Sequence, residues 1–126
     1  MTANFGQIEK LKSRKQIELL FQNGKSFKKY PVSLIYLSQD QVPNQEHIIK
    51  AAVTVSKKRF KKAVERNRIK RLLREAYRLQ KSKILTDIAS SYSLMFIYTG
   101  KELPTYDLVY FKVKQLLEEF YQKEIS

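Results

Sequence analysis

The sequence predicts an α/β domain, and three observations carry that expectation. Segments rich in β-formers, at 32–38, 47–56 and 92–98, alternate with segments whose apolar residues recur at helical spacing. Hydrophobic residues make up 43% of the chain and aromatic residues 12%, too much for a disordered basic tail and enough for a packed interior. At 126 residues the chain fits one domain with one core, so 1–126 is read as a single unit.

The first dozen residues read as an arm with Phe5 and Ile8 as its apolar points. Ser13 is a candidate helix cap, with Gln16 three residues on to complete a capping box. Ile17, Leu20 and Phe21 fall on one helical face and Gly24 is a good terminator, which predicts a short helix over 14–23. Core packing is the plain reading of Ile17 and Phe21. Residues 24–30 (GKSFKKY) read as a turn or short edge strand, and Pro31 opens a strand over 32–38. In that strand Val32, Leu34 and Tyr36 share one face; Ser33, Ile35 and Leu37 share the other.

A polar loop with Pro43 and Asn44 leads to a second strand over 47–56, whose Ala51 and Ala52 suggest close approach by another element. His47 reads as an ordinary polar residue at its start. Residues 57–62 form a loop too charged to be buried, and a helix runs from Ala63 to about Lys81 with no Gly or Pro inside. A connection that is partly helical over 84–89 precedes a mostly apolar and so central strand over 92–98. Thr105 caps a last helix with Asp107 in its first turn, and this helix frays near Gln122.

Charge is concentrated in the middle of the chain. Residues 57–83 hold thirteen Lys and Arg against Glu65 and Glu75, a local charge of +11 in a chain of net +13. Projected at about 100° per residue from Arg66, the residues Ile69, Leu72, Leu73, Ala76 and Leu79 fall between roughly 220° and 340°. Arg66, Lys70, Arg71, Arg74, Arg78 and Lys81 fall between roughly 0° and 140° with Asn67 and Tyr77, and Arg68 lies near the boundary at about 200°. One face docks on the domain and the other is a cationic surface with one amide and one aromatic in it. A solvated helix usually mixes charges of both signs. Here acids are sparse, and Arg dominates the helix while Lys dominates the loop before it. Planar guanidinium groups suit bidentate phosphate contacts, so the pattern points to a polyanion.

Protein-based catalysis is poorly provided for. With no Cys and one His there is no disulfide framework, no thiolate metal site and no nucleophile–base pair. Glu65 and Glu75 sit inside the basic helix, where they orient arginines rather than act as bases. The N-terminal stretch has no apolar run and no segment approaches the roughly 20 apolar residues of a membrane helix, so a cytoplasmic protein without a membrane partner is expected. Among polyanions, RNA is favoured over DNA. Strands alternate with helices, and Phe5, Phe27, Tyr36 and Tyr77 are candidate stacking surfaces for unpaired bases.

The run VSKKRFKKAVERNRIKRLLREAYR at 55–78 resembles the signature of the protein subunit of bacterial ribonuclease P, with Arg66-Asn67-Arg68 as its core. Phe5, Lys10 and Leu11 match the family's N-terminal pattern, Phe21 and Gly24 its Phe-x-x-Gly, and Tyr36 the aromatic of the following strand. The chain departs from the pattern at Gly6 and Gln7, where Pro and Lys are common, at Ile17, where Phe is common, and in a loop before the helix that is one residue longer and lacks Gly.

The resemblance implies an α/β (α+β) sandwich, a four-stranded mixed sheet packed with three helices as in the second domain of ribosomal protein S5, with a left-handed βαβ crossover. It also implies a function: binding a catalytic RNA and the 5′ leader of precursor tRNA, and assisting endonucleolytic removal of the leader. Hydrolysis would belong to the RNA and its Mg2+, with no catalytic residue, cofactor or metal in the protein and no stable protein partner. Lys57, Lys58, Arg59, Arg66, Asn67, Arg68, Lys70, Arg71 and Arg74 would meet the catalytic RNA, with Arg68 a candidate brace for the loop. Phe5, Ile17, Phe21 and Tyr36, with Lys10, Lys12, Arg14 and Lys15 nearby, would hold the leader in a cleft between the first helix and one sheet face. A general or ribosome-associated RNA-binding protein and a self-sufficient nuclease are the alternatives.

Overall fold

Strand alternation sorts the sheet's side chains into two faces, and two long amphipathic helices bury one of them. The computed structural model describes residues 14–39, 49–86 and 91–125. Their elements are α1 (Arg14–Asn23), β1 (Lys25–Lys29), β2 (Val32–Gln39), β3 (Ile49–Val55), α2 (Ala63–Ile84), β4 (Ser91–Tyr98) and α3 (Tyr106–Glu124). The expected arm with Phe5 and Ile8, the Ser13 cap, the 40–46 loop and His47 lie outside the described residues.

The sheet is four-stranded and mixed, in the order β1-β2-β4-β3. β2 pairs antiparallel with both β1 and β4, while β3 runs parallel to β4. With three helices this is the α+β architecture that the resemblance implied. β1 is an edge strand whose Lys25 and Lys28 point to solvent, a composition that discourages further strand pairing.

Register fixes the faces. Tyr36 pairs with Leu94 and Leu34 with Phe96, so these side chains join Ala51, Val55, Tyr92 and Tyr98 on one side. Against them pack Ile69, Leu73, Ala76 and Tyr77 of α2 and Val109, Val113, Leu116, Leu117 and Phe120 of α3, all buried. Ile35 pairs with Met95 on the other side, where a smaller cluster gathers Leu20 and Ile17 of α1 with Leu37, Ala52 and Ile97.

The ends of α1 and α3 follow from local chemistry. Gly24 N–H donates to Leu20 O at 2.8 Å and closes α1. No glycine among the described residues has a positive φ. Gly24 is needed for space instead: a Cβ there would meet Leu20 O, Ile35 Cγ2 at 2.7 Å and Tyr36 O at 3.0 Å. Thr105 caps α3 as expected, its Oγ1 accepting from Leu108 N–H at 3.2 Å with Asp107 in the first turn.

Candidate nucleic-acid interface

The basic segment folds as a pinned loop followed by one continuous helix. Residues 57–62 leave the end of β3, and five of the six carry a positive charge. The sixth, Phe60, is not exposed as the charge of the loop suggested; it is 4% exposed, its ring 5.9 Å from that of Tyr98. Burying one aromatic turns the loop's other side chains outward. Ser56 ties the turn, its carbonyl accepting from Phe60 N–H at 3.2 Å and its Oγ from Lys58 N–H at 3.2 Å. Lys57, Lys58, Arg59, Lys61 and Lys62 are all exposed.

α2 presents its expected cationic arc with two corrections. Asn67, Arg68, Arg71 and Arg74 are exposed and Lys70 is partly so. Tyr77 does not stand among them: it is 1% exposed and its ring lies 5.6 Å from that of Phe96. Gln80 is also buried, while Leu79 is 41% exposed. The buried stripe is therefore Ile69, Leu73, Ala76, Tyr77 and Gln80, turned by about 50° from the apolar stripe of the sequence. The reason is α3. Gln80 Nε2 donates to Ala76 O at 2.9 Å and to Tyr110 O of α3 at 3.1 Å, so its amide is satisfied inside the helix–helix contact. Burial alone pushes the Tyr77 phenol above its ordinary value.

Two arginines of the segment are engaged within the protein. Arg78 makes a bidentate pair with Glu75, through Nη2 at 2.7 Å and Nε at 3.0 Å, and this partner holds the Glu75 carboxyl below its ordinary value. Arg66 Nη1 donates to Phe60 O at 2.7 Å and to Lys61 O at 2.9 Å. The loop brace assigned to Arg68 is thus made by Arg66, because Arg66 lies on the side of α2 that turns toward the loop and Arg68 is exposed. α2 begins at Lys62 without a side-chain cap. Its free N–H groups and the cations before it make that end electropositive, an arrangement that suits a phosphate.

The second expected surface is altered. Phe5, Lys10 and Lys12 lie outside the described residues. Tyr36 is on the wrong face: it is 2% exposed in the helix-side core, stacked on Phe27 at 5.4 Å and edge-on to Phe120 at 4.9 Å. Phe27 is half-buried beneath it, and the Tyr36 ring is closed to a stacking base. Strand alternation is the cause, since α1 lies over Ile35 and Leu37, the odd-numbered face. Ile17 packs partly buried against that cluster, and Phe21 stands 52% exposed beside it with Arg14 and Lys15 exposed on the same helix. Ile35 and Leu37 are the residues the sequence reading missed; their position opposite Val32, Leu34 and Tyr36 was the available signal.

Among the described residues no group of three His, Cys, Asp or Glu side chains converges as metal donors. No helix of the described residues is long and apolar enough to cross a membrane.

Comparison with known proteins gives the frame for this geometry. The family model described as Ribonuclease P matches residues 5–121. The ribonuclease P protein component of Porphyromonas gingivalis strain W83 is 37% identical over 114 residues, covering 86% of this chain and 80% of the relative. That of Chlorobium phaeobacteroides is 30% identical over 129 residues, covering 94% and 88%. In fold, the chain is similar to the RNase P protein of Staphylococcus aureus, with a TM-score of 0.70 at 20% identity, covering 89% of this chain and 94% of that one. The RNase P protein of Thermotoga maritima gives 0.69 at 24% identity, covering 88% and 96%. A match spanning nearly the whole sequence, together with a mixed sheet carrying its basic helix between two parallel strands, places this chain in the ribonuclease P protein family.

Proposed function

We propose that this chain is the protein component of a ribonuclease P holoenzyme: it binds the catalytic RNA and the 5′ leader of precursor tRNA and assists removal of the leader. The observation that carries this reading is the single cationic surface made by the pinned loop and the outer arc of α2. Lys57, Lys58, Arg59, Asn67, Arg68, Lys70, Arg71 and Arg74 are its contacts, at or near the protein surface, and the segment 57–78 holds no acid but Glu65 and the already paired Glu75. Such a face repels itself in the free protein and gains by releasing counterions from a phosphate backbone. Ile17, packed with Ile35 and Leu37, and the exposed Phe21 on the same helix form the second surface, with Arg14 and Lys15 to meet phosphates of a single-stranded leader.

In this reading the protein positions and the RNA, with its own Mg2+, hydrolyses. The whole chain acts as one RNA-binding domain in the cytoplasm, where precursor tRNA is present. Reconstitution tests it. Cleavage of precursor tRNA is expected in the mixture with the cognate ribonuclease P RNA and not with protein alone. Binding that never alters cleavage would reduce the protein to a passive RNA binder, and cleavage by protein alone would make it a nuclease. Phe21→Ala is expected to keep the fold and lower the preference for precursor over mature tRNA; an unchanged preference removes the α1 surface from the proposal.

A further inference from the structure

Arg66 occupies the first position of the signature core, yet its guanidinium is turned toward the protein. Nη1 carries two protons, and each has a separate backbone acceptor, Phe60 O at 2.7 Å and Lys61 O at 2.9 Å. These carbonyls belong to the two successive peptide groups that follow the buried Phe60 anchor. The loop before that anchor holds Lys57, Lys58 and Arg59, and the loop after it holds Lys61 and Lys62. Like charges this close repel, and a loop held only at Ser56 would fan its side chains over many directions. Ordering them on binding would then oppose affinity. A clamp from α2 removes that freedom in advance. It also fixes the loop's cations relative to Asn67, Arg68, Arg71 and Arg74, because both groups are referred to the same helix.

We propose that Arg66 is a positioning residue of the RNA interface, acting on RNA through the loop cations it clamps and not through a phosphate contact of its own. The proposal rests on the reading that this loop meets RNA. A lysine at this position keeps the charge but ends one bond short of where Nη1 stands, so its ammonium falls short of the two carbonyls that Nη1 meets.

The test is a double-mutant cycle on binding to the cognate ribonuclease P RNA, joined to hydrogen exchange on the free protein. The proteins are wild type, Arg66→Lys, Arg66→Gln, a neutral-loop variant (Lys57→Gln, Lys58→Gln, Arg59→Gln), and the neutral-loop variant carrying Arg66→Lys. Binding is read at low salt, where the neutral-loop protein still associates. Arg66→Lys is expected to weaken binding about tenfold, as much as Arg66→Gln, and to cost less than about twofold once the loop is neutral. Amide exchange at Phe60 and Lys58 is expected to speed up in Arg66→Lys while amides of β4 keep their protection. Arg66→Lys binding like wild type while Arg66→Gln fails would show a charge contact and overturn the proposal. So would an Arg66→Lys loss of equal size in both backgrounds. If wild type does not bind the RNA, the proposed function fails, and the exchange measurement still decides the clamp: unchanged exchange at Phe60 sinks it.

Discussion

Tyr36 Oη donates a 2.8 Å hydrogen bond to Glu124 Oε2, tying β2 to the last turn of α3 across 88 residues of sequence. Lys25 of β1 approaches the same carboxylate at 3.8 Å, and Lys29 approaches Glu119 at 3.6 Å. The edge strand and the end of the last helix are thereby fastened through one tyrosine and two acids. Tyr36→Phe keeps the ring that Phe27 and Phe120 pack against and removes only the hydroxyl. It is expected to lower stability by about 1.5 kcal/mol in urea denaturation with an unchanged slope. Leader preference in the holoenzyme is expected to equal wild type. A variant of full stability that lost this preference would return Tyr36 to the leader surface.

Two phenols make the fold sensitive to alkali. Tyr36 is raised above its ordinary value of 10.0 by burial first and by its hydrogen bond to Glu124 second, and Tyr77 is raised by burial. Below the ordinary value both folded and unfolded chains hold these protons, and the stabilising contribution is complete. Above it the unfolded chain releases them and the folded chain does not, so stability falls as pH rises. Each tyrosine adds up to about 1.4 kcal/mol per pH unit to that fall. Urea midpoints measured from about pH 9 to about pH 11 are expected to drop steeply for wild type and less steeply for Tyr36→Phe. Parallel slopes would mean that Tyr36 ionises in the folded state as freely as in the unfolded one.

Gly24 holds α1 close to the sheet. An added methyl would press on Leu20 O, Ile35 and the Tyr36 carbonyl at once. Two of these three neighbours are backbone, which cannot yield by a side-chain rotation. Gly24→Ala is expected to cost about 2 kcal/mol in urea denaturation. A neutral result would mean that α1 moves off Ile35 with little resistance.

Much of this architecture was legible in the sequence. Ile17 with Leu20 marked α1, Pro31 marked the start of β2, and Thr105 with Asp107 marked the start of α3, because capping and periodicity act over a few residues. The basic segment was legible for the same reason, since charge concentration needs no tertiary information. Tyr77 and Phe60 were misjudged. Charge places a ring in a cationic arc, and another in a charged loop, outside, but Phe96 receives the Tyr77 ring and Tyr98 receives Phe60. Those partners lie 19 to 38 residues away, in elements the local pattern does not see.

The sequence by itself determined where charge is stored, which segments are strands and helices, and that the protein carries few groups for chemistry of its own. It also separated Tyr36 from Ile35, since alternate residues of a strand face opposite ways. Only the tertiary structure decided which of those faces α1 would cover, and so that Tyr36 belongs to the core. It alone turned Arg66 inward onto the loop and left Arg68 exposed. The physical reason is common to both. A repeating pattern fixes relative orientation within an element, whereas the assignment of a face or a guanidinium to core or surface depends on which distant groups arrive to pack on it.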